Sequence, residues 1–312
     1  MKKDLTTSVY TFEKLINGNF LYIDKTKYIY DIVRPDTGIY FLSRPRRFGK
    51  SLTLSTFKAI FQGKKKLFKG LYIHNKPFEW KEYPVIHLSL NKISSQNPAE
   101  IEKKLCYMID DQGDIYGIKT VRTDAASKFD ELITKLSKID KVVILIDEYD
   151  KPLLDNINNI QERENIKNTL KSFYSIIKAA EENIRFVFMT GVSKFSKVSV
   201  FSELNNLDDL TMNSKYCTAL GFTEEEVEKY FEERIAEIAD ERGKTKEKIT
   251  ERMKELYNGY RFSENKTTVY NPVSLTKFII DGKFKQYWFE TGTPSFLLKL
   301  LKEKNYFNRR GL

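Results

Sequence analysis

Long apolar runs are missing from this chain. No stretch approaches the roughly eighteen apolar residues of a membrane span, and Met1-Lys2-Lys3-Asp4 is not followed by the apolar region of a signal peptide. The expectation is a cytoplasmic protein with no membrane segment. Cysteine is scarce too. Cys106 and Cys217 are the only two, each inside an apolar stretch, where a free cysteine behaves as a small buried hydrophobe; a disulfide framework is excluded. His74 and His87 are the only histidines, too few to build a metal centre without help. Repeats and low-complexity linkers are also absent.

What is abundant is charge. The 53 Lys+Arg against 43 Asp+Glu give a net charge of +10, so a polyanion such as DNA is a candidate partner. Only Lys64-Lys65-Lys66 with Lys69 forms a compact basic cluster, which a solvated loop explains more readily than a phosphate-backbone patch. At 312 residues, 41% hydrophobic and 13% aromatic, the chain can bury a full core and has room for one large and one small domain.

Taken in order, a strand-like piece at Phe20–Ile23 precedes Asp24, an N-cap candidate for a helix from Lys25 to Val33. Strands are expected at Ile39–Ser43, Val85–Leu90, Lys141–Asp150 and Ile184–Ser193. Helices are expected at Lys50–Phe61, Pro98–Asp111, Ala125–Lys138 and Gln161–Glu182. The unbroken apolar run Val142–Ile146 reads as a strand buried on both faces. Strands alternating with helical crossovers predict a parallel α/β sheet, with ligands bound at the carboxyl ends of its strands. Phe195–Asn213, rich in Ser, Asn and Asp, reads as a functional loop, and Tyr216–Leu220 as a last core strand. Thr223 then caps a charged helix, Glu224–Asp240, which opens a mainly helical region. The expected division is residues 1–222 and 223–312.

The stretch IYFLSRPRRFGKSLTLSTF, Ile39 to Phe57, carries the chemistry. A strand, a basic turn and Gly49-Lys50-Ser51 opening a helix form a cradle for nucleotide phosphates, because backbone N–H groups and the helix dipole converge on one anion site. In this reading Arg46, Arg47, Phe48, Gly49, Lys50, Ser51 and Leu52 bind the nucleotide, Lys50 reaches its β- and γ-phosphates, and the Ser51 hydroxyl holds Mg²⁺. The usual pattern has glycine where this chain has Arg44, so the loop must close differently, for which the fixed φ of Pro45 is one means.

A strand ending in Asp147-Glu148 supplies the acids. Asp147 is a candidate Mg²⁺ holder and Glu148 a candidate base for the attacking water. Thr190, or next Ser193, stands where a γ-phosphate sensor would lie. Arg261 in YNGYRF is the arginine candidate from outside the loop; Arg44, Arg46 and Arg47 are the alternatives within it. No Asn-Lys-x-Asp follows the acidic strand, against a GTPase, and Ile249–Asn271 lacks the clustered arginines of a kinase lid.

With YIDKTKYI, SRPRRFGKS, YPVIHLSL, ILIDEYDKPL, FMTGVSKFSKVSVFSELNNLDDLT, LGFTEEEV, NGYRF, YNPVSL and YWFETGTPSFL, the chain resembles the AAA-ATPase-like family of bacterial proteins along nearly its whole length. The resemblance implies an α/β P-loop NTPase fold of AAA/ASCE type, with helices on both faces of a parallel sheet and the sensor strand between the phosphate-loop and Asp-Glu strands. It also implies Glu148 as catalytic base and a helical lid followed by a winged-helix-like region, in which Gly292-Thr293-Pro294 faces the nucleotide and Pro294 contacts it. Relatives often continue into a nuclease-like domain; that domain is expected to be absent from, or cut away after, Leu312. The function expected is a slow Mg-dependent ATPase acting as a conformational switch, with ATP and Mg²⁺ bound. Its rival is a nucleotide-gated protein- or DNA-binding module with negligible hydrolysis. A protein partner, DNA and self-association all stay open.

Overall fold

In the computed structural model of the chain, residues 2–93, 97–157, 159–192, 201 and 204–287 are described. The apolar runs become strands: Ile39–Ser43 (β1), Val85–Ser89 (β2), Val142–Asp147 (β3) and Ile184–Gly191 (β4). With Asp208–Asp209 (β5) they form a parallel sheet in the order β2-β3-β4-β1-β5, so β4 lies between β1 and β3 as the resemblance implied. Every residue of β3 and β4 is buried, which is why both read as continuous apolar runs without alternation.

Helices cover both faces. Phe12–Asn17 (α1), Thr26–Val33 (α2) and Lys50–Phe61 (α3) pack on the face that carries Leu42, Val143, Leu145, Phe186 and Phe188. Pro98–Ile115 (α4), Ala125–Leu136 (α5) and Ile160–Ala179 pack on the face of Ile86, Ile144, Val187 and Met189. Lys151–Asp155 (α6) follows β3 directly, and Ile160–Ala179 is α7. Asn97, Asp124 and Asn159 each accept a backbone N–H from the first turn of the helix they start. Asp24 accepts from both the N–H and the hydroxyl of Thr26, at 2.8 and 2.6 Å.

A third core belongs to Glu224–Glu241 (α8), Lys246–Tyr257 (α9) and Pro272–Asp281 (α10), built on Val227, Phe231, Ile249, Met253, Leu275 and Phe278. Thr223 and Glu226 form a reciprocal capping box at the start of α8. Between α9 and α10 the chain doubles back through a Tyr260–Val269 bridge, and Tyr270 bridges to Phe222. No helix among the described residues is long and apolar enough to cross a membrane.

Two expected strands are not formed. Tyr216–Leu220 is a connector that leaves a 3₁₀ turn at Ser214–Tyr216; its apolar residues are buried by packing, without strand pairing. The last strand among the described residues is instead Asp208–Asp209, inside the stretch expected to be loop. Phe20–Ile23 makes a single bridge, from Phe20 to Asp4. Ser193, most of 193–203 and the whole of 288–312, with Gly292-Thr293-Pro294 and the expected winged-helix-like region, lie outside the described residues.

Gly221 joins the sheet to the helical bundle at φ +89°, and a Cβ added there would stand 2.5 Å from Val269 Cγ2. Both the backbone strain and the overlap oppose a side chain. Gly221→Ala is expected to lower stability by about 1–3 kcal/mol in urea unfolding; an unchanged midpoint would mean the junction relaxes freely.

Candidate functional site

The carboxyl ends of β1, β3 and β4 meet at one edge of the sheet, where the phosphate loop leaves β1. Arg47 and Gly49 both take positive φ, +69° and +91°, a backbone arrangement that turns successive N–H groups toward one concavity. Gly49 precedes α3 without any side-chain cap, so the helix's first amides are left for a ligand. The turn expected of a glycine at position 44 is thus made three and five residues later.

Arg44 has a different task. It is 1% exposed; its guanidinium donates to the carbonyls of Ser43 and Thr211, each at 2.8 Å, and of Tyr216 at 3.1 Å, and lies 4.1 Å from the Phe262 ring centroid. Burial pushes its pKa down to about 10. Phe48, at the far end of the loop, is clasped edge-on by Tyr260 and Phe262, at 4.8 and 5.4 Å between centroids. Arg261, between those two rings in sequence, is exposed and does not line the cavity described below. The loop is therefore fastened at both ends to the chain that connects α9 with α10.

At the base of the loop Ser51 donates its hydroxyl to Asp147 Oδ2 at 2.5 Å, and Thr190 donates to Asp147 Oδ1 at 2.6 Å. Thr190 also accepts the Glu148 N–H at 3.4 Å. Thr190 is fully buried, does not line the cavity, and bonds both acids. Glu148 adopts φ +53°, a left-handed conformation that costs a non-glycine residue about 1–2 kcal/mol. That reversal sends Glu148 into the cavity while Asp147 stays buried against Ser51. The Tyr149 N–H to Thr190 O bond and the Val192 N–H to Asp150 carboxylate bond stitch the turn after β3 to the end of β4.

Lys50 is buried and donates to the carbonyls of Arg44 and Pro45, at 2.9 and 3.1 Å. Burial lowers its pKa, and the carboxylates of Glu148, Asp147 and Asp150 oppose the shift. Ser51 and Asp147 present hard oxygen donors side by side beneath the uncapped amides, a donor set suited to Mg²⁺ beside a phosphate chain.

Lys50, Ser51 and Glu148 line a cavity of about 590 Å³. Its lining includes Arg46–Thr53, Glu148, Lys151 and Asn91 and, from other segments, a mainly apolar set in which Ile23, Leu220, Phe222 and Phe231 are the large side chains. The apolar set, and Asn91 at the carboxyl end of β2, were given no role by sequence reasoning. Position after β2, beside the acidic strand, was the available signal for Asn91; the apolar wall comes from separated segments with no shared pattern.

A parallel sheet with β4 between the strand that precedes Gly49-Lys50-Ser51 and the strand that ends in Asp147 has the α/β P-loop NTPase fold. The family model described as Predicted AAA-ATPase matches residues 6–201, and the chain belongs to that AAA-ATPase-like family. A protein of Azotobacter chroococcum mcd 1, described as an uncharacterized protein in the vnfD 5' region, is 37% identical over 310 residues, 98% of this chain. The chain spans 57% of that relative's length. The solved structure of the Aeropyrum pernix ORC2 protein in ADPNP-ADP complexes aligns at a TM-score of 0.38 and 14% identity, over 90% of this chain and 69% of that one.

Arg44→Ala, or Arg44→Gly to restore the usual loop residue, is expected to cost about 3 kcal/mol or more in urea unfolding, since three buried carbonyls lose a charged donor. Removing an exposed loop arginine should change stability by less than about 0.5 kcal/mol. Equal midpoints for Arg44→Ala and Arg46→Ala would show that Arg44 is not the staple.

Proposed function

We propose that the chain binds Mg-ATP in this cavity and hydrolyses it slowly, with the bound state read out by the helical bundle. The observation that carries the reading is the Ser51–Asp147–Thr190 hydrogen-bonded chain beside Lys50 and Glu148. Lys50 and the uncapped amides of α3 neutralise the phosphates. Ser51 and Asp147 hold Mg²⁺, which when bound withdraws charge from the β- and γ-phosphates. Glu148 orients the attacking water and accepts its proton. Thr190 positions Asp147 and the Glu148 backbone rather than touching phosphate. The apolar part of the lining receives the base, and adenine follows from the family.

A switch is favoured because the cavity walls belong to both parts of the chain, here taken as 1–222 and 223 onward. Phe48 couples the loop to Tyr260 and Phe262, and Lys25 joins Thr218 to Glu226 of α8, at 2.8 and 2.7 Å. A protein or DNA that reads the bundle's position would be the partner, and a cytoplasmic nucleotide pool the source of substrate.

Nucleotide binding and phosphate release by the purified chain test this. Glu148→Gln should keep Mg-ATP affinity and lose about 10²–10⁴-fold in release, whereas Lys50→Ala should lose affinity. Unchanged release in Glu148→Gln rejects it as the base. Tight binding without release by the wild type would favour a nucleotide-gated module instead.

A further inference from the structure

Hydrolysis of a nucleoside triphosphate develops charge on the transferring phosphoryl oxygens, and a cation that follows this charge supplies much of the rate. Five cationic side chains line the cavity: Lys25, Arg46, Arg47, Lys50 and Lys151. Four are engaged. Lys25 is bonded to Thr218 and Glu226, and Lys151 is paired with Asp155 one turn along α6. Arg47 donates to Tyr10 Oη at 2.8 Å, and Lys50 is held by the carbonyls of Arg44 and Pro45.

Arg46 differs from all of these. It is exposed at the apex of the phosphate loop, with no hydrogen bond, ion pair or ring contact to any described residue. Its backbone is fixed on both sides, by Pro45 before it and by the left-handed Arg47 after it. It is near enough to Lys50 for its charge to disfavour the protonated amine. The other arginines considered are placed elsewhere: Arg44 is buried under Phe262, and Arg261 stands outside the lining.

We propose that Arg46 is the charge-stabilising arginine of the site and acts in cis, so that one chain carries a complete hydrolytic centre. This rests on the reading of the cavity as a Mg-ATP site. In the reaction, the water oxygen bonds to the γ-phosphorus as the bond from that phosphorus to the β–γ bridging oxygen breaks. The water proton passes to Glu148, and ADP and phosphate leave. Arg46 enters none of these bonds; it donates N–H to the γ-phosphoryl oxygens as their charge shifts.

The test uses the full chain, with Mg-ATP affinity, phosphate release across a wide range of chain concentration, and affinity for Mg-ADP with and without aluminium fluoride. Arg46→Ala should bind Mg-ATP like the wild type and lose about 10³-fold or more in kcat. Arg46→Lys should recover part of that loss. Wild-type release per chain should not depend on concentration, and aluminium fluoride should tighten Mg-ADP binding in the wild type but not in Arg46→Ala. Wild-type release by Arg46→Ala would overturn the proposal. So would release recovered on mixing Arg46→Ala with Lys50→Ala chains, which would place the arginine in trans. A wild type that binds Mg-ATP but shows neither release nor fluoride-dependent tightening also overturns it. Failure of the wild type to bind Mg-ATP at all would overturn the underlying reading of the cavity as well, and the binding measurement alone separates that failure from the others.

Discussion

A buried cation, Arg44, sets the shape of the phosphate loop. Burying a guanidinium is costly unless its donors are met and its face is covered. Here the carbonyls of Ser43, Thr211 and Tyr216 accept three N–H bonds from its two terminal nitrogens, and Phe262 covers the plane. The same contacts draw the end of β1, the connector at 211–216 and the chain after α9 to one point. The Arg44 N–H continues the sheet by bonding to Gly191 O at 3.2 Å, so the loop departs from β1 one residue beyond the strand proper. With the entry fixed in this way, the positive-φ turn moves to Arg47 and Gly49, directly before α3.

Asp147 plays the corresponding role for the acids. Both its oxygens are occupied, one by Ser51 from the loop and one by Thr190 from β4, so a single buried carboxylate ties β1's loop to two strands. A carboxylate held by two short hydroxyl donors has little freedom to follow its neighbour. Glu148 can then face the cavity only if the backbone reverses between them, and the left-handed φ at Glu148 is that reversal. Two adjacent acids thereby reach different surroundings: one is buried and hydrogen-bonded, the other lines open space.

What the sequence made legible was local. Ile39–Ser43 and Lys50–Phe61 stand at their expected bounds because an apolar run, a glycine and a helical pattern each act over a few residues. Val142–Asp147 was legible because full burial on both faces demands an unbroken apolar run. Strand order was not in any of these patterns and came from resemblance. Tyr216–Leu220 misled because its apolar residues are buried in the core on the α1–α3 face while its carbonyls serve Arg44 and Lys25, a packing need indistinguishable from a strand in one dimension. Asp208–Asp209 is too short and too acidic to carry a periodic signal. The direction of the Thr190 hydroxyl depends on how β4 sits beside β3, which only the assembled sheet decides.

The cavity lining has two structural levers. In the phosphate loop Phe48 lies between Tyr260 and Phe262, and such aromatic contacts are worth about 0.5–1.5 kcal/mol each. Elsewhere in the lining burial lowers the Lys25 pKa while Glu226 opposes the shift, and Glu226 also accepts the Thr223 N–H at 2.9 Å. The pair is partly buried, its side chains 13% and 20% exposed. Coupling between two sites is typically about 1–3 kcal/mol. On the proposed reading, a ligand that rearranged the phosphate loop would shift the Tyr260–Phe262 side of the bundle about the Lys25 side. The aromatic clasp would be the moving contact and the ion pair the fixed one.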